Sequence, residues 1–420
     1  MRFDWANPDM RAPALARPRG RDDAALLEGV RGIVDDVRVR GWDALARQAL
    51  RIDGVEPRRL AVKPFADAAR AVIPAATQDA IRLAAQNIES FHRQTLPVDQ
   101  EIITYPGLSV SKLWRPVRRA GLYVPGGRAP LFSTLMMLAI PASIAGVEEL
   151  VVVTAPRPDG SIDPAIAFAA DLCGIEAIWT VGGAQAIAAL AFGAGGIPSV
   201  DRICGPGNAW VAAAKALVAA MPGGPGIDLP AGPSELMVIA DDTANAAIVA
   251  ADLLSQAEHD ADAQVLLVSP SDAMIDAVEQ EVARESAALV GDLAPARFIR
   301  CTNLAEAIDI ANLYAPEHLS LACEGAQALV QDVRNAGAIF VGREAAESFG
   351  DYLAGSSHVL PTDGAARFTG GVSTQTFMKA MTVQRIAPHA AAALAAPAAA
   401  LARLEGLEAH ARAAEARALP

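Results

Sequence analysis

Apolar residues recur at helical spacing over residues 24–37, 42–50 and 77–92, so the first hundred residues read as helical. Residues 105–114 read as a strand that ends at Pro116. Beyond this point the pattern becomes an alternation of strands and helices. The run LVVVT at 150–154 is continuously apolar, as in a strand buried on both faces. A helix over 164–172, a strand over 177–181 and a helix over 184–192 follow. A second series starts with ELMVIA at 235–240 and continues with a helix over 246–257 and a strand over 264–268. Helices over 271–286 and 304–313 then alternate with strands over 319–322 and 338–341. Strand–helix alternation predicts parallel sheets covered by helices, and two such blocks predict an α/β protein with two Rossmann-like sheets.

The most apolar stretch, 130–147, holds Ser133, Thr134, Pro141 and Ser143. It is too short and too interrupted to span a bilayer and reads as a buried helix. The last thirty residues are Ala-rich, and Pro397 is expected to start or break a helix there. Leu401, Leu404, Leu407 and Ala411 would form one stripe, for which a second subunit is a suitable cover.

With 420 residues, the chain has room for two or three domains and a large core. A net charge of −13 argues against a nucleic-acid footprint. The first nine residues carry charges and no apolar run, unlike a secretory signal. Cys173, Cys204, Cys301 and Cys323 lie far apart with no CxxC spacing, which suits reduced thiols in a cytoplasmic protein.

Only six histidines occur, and three stand in suggestive surroundings. Gln256 and His259 are three apart at a helix end and could share one metal; a solvated helix end is the competing reading. Glu317 and His318, stiffened by Pro316, pair two proton acceptors of different strength, or form an ordinary surface turn. Asp351 and His358 sit in the glycine-punctuated segment 350–361, whose donors suit Zn²⁺ if it closes on a ligand. Glu405 and His410 are five apart, about 140° around a helix, and would not meet on one face. His92 and His389 have no neighbouring partners in sequence. Glycine loops at 121–127, 181–185 and 204–208 could approach a cofactor or be plain turns. None is the dinucleotide fingerprint, since Trp210 stands where a third glycine would follow Gly205 and Gly207.

Read together, the strings GLYVPGG (121–127), VGGAQAIAALAFG (181–193), GPGNAW (205–210), DLPAGPSELMVIAD (228–241), DLLSQAEHDADAQV (252–265), APEHL (315–319), GDYLAGSSHVLPT (350–362) and EGLEAHA (405–411) resemble histidinol dehydrogenase over nearly the whole chain. The resemblance implies zinc- and NAD⁺-dependent four-electron oxidation of L-histidinol to L-histidine through the aldehyde. It implies a cytoplasmic homodimer whose C-terminal tail reaches into the other subunit, with no nucleic-acid or membrane partner. Carried over, the zinc ligands are Gln256, His259, Asp351 and His410, the last from the second subunit. Glu317 and His318 are the catalytic acid–base pair. Ser234, His358 and Glu405 contact substrate, together with His318 and the zinc ligands. Tyr123, Gln185 and Asn208 line the NAD⁺ site. The implied domains are an arm over 1–22, a discontinuous Rossmann-like domain over 23–122 and 236–372, an NAD⁺-binding one over 123–235, and a dimerisation tail over 373–420. The chain departs from the family at Ser357, where Asn is common, at Arg202 and Trp210, and in a shorter segment near 283–298. Oxidation of another small amino or sulfonated alcohol, and a non-catalytic binding role, are the alternatives.

Overall fold

The computed structural model describes residues 1–18, 24–126, 130–229, 232–289 and 291–418. Gly127, Pro230 and Ala231 of the quoted strings, residues 19–22 of the arm and residue 290 of the shorter segment lie outside them. The strands are β1 (Arg2–Asp4), β2 (Arg59–Ala61), β3 (Gln100–Tyr105), β4 (Leu108–Pro116), β5 (Arg119–Val124), β6 (Glu149–Thr154), β7 (Ala177–Thr180) and β8 (Arg202–Cys204). They continue as β9 (Gly226–Ile227), β10 (Glu235–Ala240), β11 (Gln264–Ser269), β12 (Ala296–Arg300), β13 (His318–Ala322), β14 (Ala338–Val341) and β15 (Met378–Ile386).

Met1–Thr95 and Arg118–Phe377 form one compact unit. It holds two six-stranded sheets, ordered β2-β7-β6-β5-β8-β9 and β1-β12-β11-β10-β13-β14. In each, the chain steps from one strand (β5 or β10) to two neighbours on one side, then returns to place two more on the other side. The expected pair of Rossmann-like sheets is therefore present, with one topology used twice. Strands β10 and β11 are buried along their whole length, which explains their unbroken apolar runs.

Five expectations differ from the structure. Residues 59–61 add β2 to the β5–β9 sheet, antiparallel to β7. Val30, Val34, Val37 and Leu45 of the helical segment Ala24–Ile52, which breaks at Gly41 (φ 55°), pack with Ile187, Leu190 and Val211 over that sheet. The early helices therefore cover the sheet of 119–227, not that of 236–341; periodicity shows that a helix has an apolar face but not which sheet it meets. Within the segment expected as an arm, β1 pairs in parallel with β12 and so extends its sheet. Helix Pro388–Leu404 continues through Pro397, which neither starts nor breaks it. The apolar tail stripe is also divided: Gly406, at φ 78°, separates that helix from helix Glu408–Glu415.

Leu96–Val117 and Met378–Pro420 form the second unit. Here β15, β4 and β3 make an antiparallel sheet, and the two tail helices follow. Leu401, Leu404 and Leu407 are exposed, whereas Ala411 is buried. No helix among the described residues is long and apolar enough to cross a membrane.

Candidate active site

The chemistry-bearing residues gather where β10 and β13 begin. Helix Leu304–Tyr314 ends with Ala315 in the left-handed region at φ 56°. Pro316 then turns the chain into β13, and Glu317 and His318 enter the interior, 6% and 3% exposed. The surface-turn reading of this segment is thereby replaced. Both side chains are held by the backbone of one residue, Glu235. Its N–H donates to Glu317 Oε2 at 2.8 Å, and its carbonyl lies 3.0 Å from His318 Nδ1. A carbonyl only accepts, so Nδ1 carries the proton and Nε2 presents its lone pair. That Nε2 is buried without a hydrogen-bond partner, 3.9 Å from Asp351 Oδ1. Burial pushes the His318 imidazole down to about 3, which keeps the ring neutral with its Nε2 lone pair free.

Glu235 is itself pinned. Its fully buried carboxylate accepts from Arg17 Nε at 2.5 Å, from Arg17 Nη2 at 2.9 Å and from the Asp363 N–H at 3.0 Å. The Arg17 guanidinium lies 3.7 Å from the Tyr314 ring centroid.

Helix Glu347–Tyr352 carries Asp351, so part of the expected glycine loop is helical. A Cβ on Gly350 would lie 2.6 Å from the Phe340 ring, which accounts for the glycine by close packing. Burial raises the Asp351 carboxyl to about 6. His358 differs from His318 in having both ring nitrogens engaged. Its Nδ1 lies 3.0 Å from the Asp351 carbonyl and its Nε2 lies 3.0 Å from Thr134 Oγ1. Desolvation lowers it to about 4. Ser357 turns inward and its hydroxyl accepts from the Val359 N–H at 3.1 Å.

Gln256 closes helix Ala246–Ala257, and His259 lies just past its end. Their side chains still meet, with Gln256 Nε2 3.0 Å from His259 Nδ1. The amide nitrogen only donates here, so a shared metal would take Gln256 Oε1 and the contact would give way to it. Gln256 Oε1 is buried and has no hydrogen-bond partner. Desolvation also pushes the His259 imidazole down, opposed by Glu258. Ligand atoms of His318, Glu347 and Asp351 lie within 4.8 Å of one another. Burial raises Glu317 and Glu347 well above the usual carboxylate range, and Asp351 raises both further. A buried crowd of carboxylates beside neutral imidazoles favours a cation, so these donors fit a divalent metal.

A second group lies at the carboxyl ends of β5–β8, where the strand order reverses between β5 and β8. Tyr123 is buried, and its hydroxyl accepts from the Gly183 N–H at 3.2 Å. Gln185 is fully buried with neither amide atom hydrogen-bonded, and Thr154 Oγ1 is likewise buried and unpartnered. Asn208 caps helix Ala209–Ala219, accepting from the Trp210 and Val211 N–H groups. Gly205 has φ 126°, and a Cβ there would lie 2.1 Å from the Tyr123 carbonyl. Orphaned donors and acceptors at a switch-point crevice suit a polar cofactor.

Ser234 precedes β10, and its carbonyl accepts from the Gln264 N–H at 2.8 Å. In the second unit, Glu405 and His410 are exposed and lie on either side of Gly406. Their helical separation therefore has no bearing on whether they can act together. His92 is fully buried with neither ring nitrogen hydrogen-bonded, and His389 is exposed. Residue-type scanning missed Arg17, Glu235, Thr134 and Glu347. For Glu347 the signal was present: it stands four residues before Asp351, on the same helix face.

The histidinol dehydrogenase family model matches residues 16–418. Histidinol dehydrogenase of Xanthomonas oryzae pv. oryzae is 46% identical over 98% of this chain and 97% of its own length. That of Legionella pneumophila is 44% identical over 96% of this chain and 94% of its own. The crystal structure of histidinol dehydrogenase from Elizabethkingia anophelis superposes with a TM-score of 0.94 at 36% identity, covering 99% of this chain and 97% of that one. The chain belongs to the histidinol dehydrogenase family, a family of oxidoreductases.

Proposed function

We propose that this chain oxidises L-histidinol to L-histidine through L-histidinaldehyde, with NAD⁺ as electron acceptor and zinc as resident metal. The observation that carries the reading is His318, whose Nδ1 is fixed by a backbone carbonyl while its buried Nε2 faces the site unpartnered. Gln256, His259 and Asp351 would hold the metal together with His410 of a second copy, which makes the working protein a homodimer. Tyr123, Gln185 and Asn208 would line the cofactor site. When bound, the zinc anchors the imidazole and amine of the substrate, and NAD⁺ takes up hydride.

The remaining chemistry belongs to the chain. His318 Nε2 takes the hydroxyl proton of the alcohol as its C–H bond breaks. Glu317, one oxygen tied to the Glu235 N–H, keeps the other to take a proton from the water that hydrates the aldehyde. The hydrate is then a second alcohol for His318 to deprotonate, so one base serves both oxidations. Ser234, His358 and Glu405 contact the substrate. For His358 this role requires the Thr134 hydroxyl to give way, since both of its nitrogens are engaged.

Separate assays of histidinol and histidinaldehyde oxidation test the assignment. His318→Asn lowers kcat for the alcohol by roughly 10²–10⁴-fold. Glu317→Gln slows aldehyde oxidation more than alcohol oxidation. Full histidinol oxidation by His318→Asn refutes the base, and turnover of a sulfonated alcohol in place of histidinol refutes the substrate.

A further inference from the structure

Glu347 is 3% exposed, and neither of its oxygens has a hydrogen-bond partner. Buried carboxylates are normally satisfied, so its place needs a reason. Its Oε1 lies 3.2 Å from His318 Nδ1, closer than Glu317 Oε2 at 3.7 Å. The atom it faces also separates two roles. A metal shared between Glu347 and His318 through Nδ1 would need that nitrogen unprotonated, but the Glu235 carbonyl at 3.0 Å requires a proton there. Nδ1–H is given to the Glu235 carbonyl, and the Glu347 carboxyl lies beside it without accepting a hydrogen bond, on the side of the ring away from Nε2.

We infer that Glu347 is a positioning residue for His318: it packs against the Nδ1–H side of the ring and, ionised when a cation fills the adjoining carboxylate cluster, offers negative charge to the imidazolium formed when Nε2 takes the substrate proton. The inference rests on the reading of His318 as the base. The backbone carbonyl sets the tautomer, and Glu347 adds the charge that a neutral carbonyl lacks. This is the division of labour of a histidine–carboxylate couple, in which the carboxylate orients the ring and stabilises its protonated form without taking the proton. Asp351, four residues on along the same helix face, stands 3.9 Å from Nε2. One short helix, Glu347–Tyr352, therefore sets a carboxylate by each ring nitrogen.

The zinc-loaded protein and its Glu347→Gln, Glu347→Asp and Glu347→Leu variants test this. Glu347→Gln keeps the shape and an acceptor but removes the charge. It is expected to lower kcat for histidinol about 10–100-fold, with KM and the zinc content unchanged. Glu347→Asp recovers at least part of the loss, and Glu347→Leu is the most impaired. With only six histidines, ¹⁵N-histidine labelling makes the second readout legible without substrate: the His318 Nδ1–H proton resonates far downfield in the parent and moves upfield in Glu347→Gln. A kcat within twofold of the parent in Glu347→Gln overturns the inference. So does zinc loss in parallel with activity, which would make Glu347 a ligand. A parent chain that does not oxidise histidinol refutes the proposed function instead, while the Nδ1–H signal still reports on Glu347.

Discussion

Replacing Arg17 by methionine keeps most of the side-chain volume and removes the guanidinium that neutralises Glu235. Glu235 is fully buried, and it would keep one donor, the Asp363 N–H. Arg17 also donates to the Tyr314 carbonyl at 2.9 Å and stacks on that ring. Removing one member of a buried ion pair costs about 3–5 kcal/mol. Arg17 itself is 18% exposed, so solvent relieves part of this and about 2–4 kcal/mol is expected. For a unit of this size that is a fall of roughly 3–6 °C in Tm. The pH dependence carries a sign. Burial already raises the folded Glu235 carboxyl above its ordinary value, and loss of Arg17 raises it further. Between the unfolded and folded values the native state binds more protons than the unfolded one, so stability falls as pH rises. The deficit of Arg17→Met is therefore largest at neutral pH and shrinks as pH falls toward the ordinary carboxylate range. Denaturant titrations at several pH values measure it, and adding Glu235→Gln should recover part of the loss. A deficit below about 0.5 kcal/mol at neutral pH, or one that grows on acidification, would refute the reasoning.

His92 is buried neutral, and desolvation lowers it from 6.5 to about 4. The unfolded chain takes up a proton there first, so its contribution is lost as pH falls from about 6.5 to 4, on the order of 3 kcal/mol in all; His92→Phe should flatten the acid limb of a stability–pH curve, and an unchanged limb counts against it. Gly205→Ala places a Cβ 2.1 Å from the Tyr123 carbonyl at φ 126°, which costs at least about 1–3 kcal/mol. It should also raise KM for NAD⁺ more than KM for histidinol, and equal effects on both would dissociate this loop from the cofactor. If a second copy supplies His410, as proposed, mixing His410→Ala with Glu317→Gln chains should regenerate activity, because one site of each mixed dimer would receive intact parts. If subunit exchange is demonstrated and no activity returns, His410 acts within its own chain.

Much of the fold was legible because buried parallel strands write themselves as apolar runs. ELMVIA at 235–240 and the helix over 246–257 match β10 and Ala246–Ala257 residue for residue. Short strands were not legible: β2 and β8 span three residues each, too few for a period to emerge. The partners of Glu317 and His318 were hidden for another reason. They are the N–H and carbonyl of Glu235, and a backbone group has no sequence signature. Arg17 lies 218 residues from Glu235, a distance that no local pattern bridges. Glu347 was within reach, since its spacing from Asp351 is a helix-face signal. The glycine at 350 instead suggested a loop, whereas it is there to let the helix approach Phe340.

The most direct measurement is the NADH formed per L-histidinol consumed by the purified protein, before and after chelation and again after zinc is restored. The account predicts two NADH and one L-histidine per histidinol, loss of turnover on chelation, and its return with zinc. One NADH with histidinaldehyde accumulating, or full turnover in the metal-free protein, would contradict it.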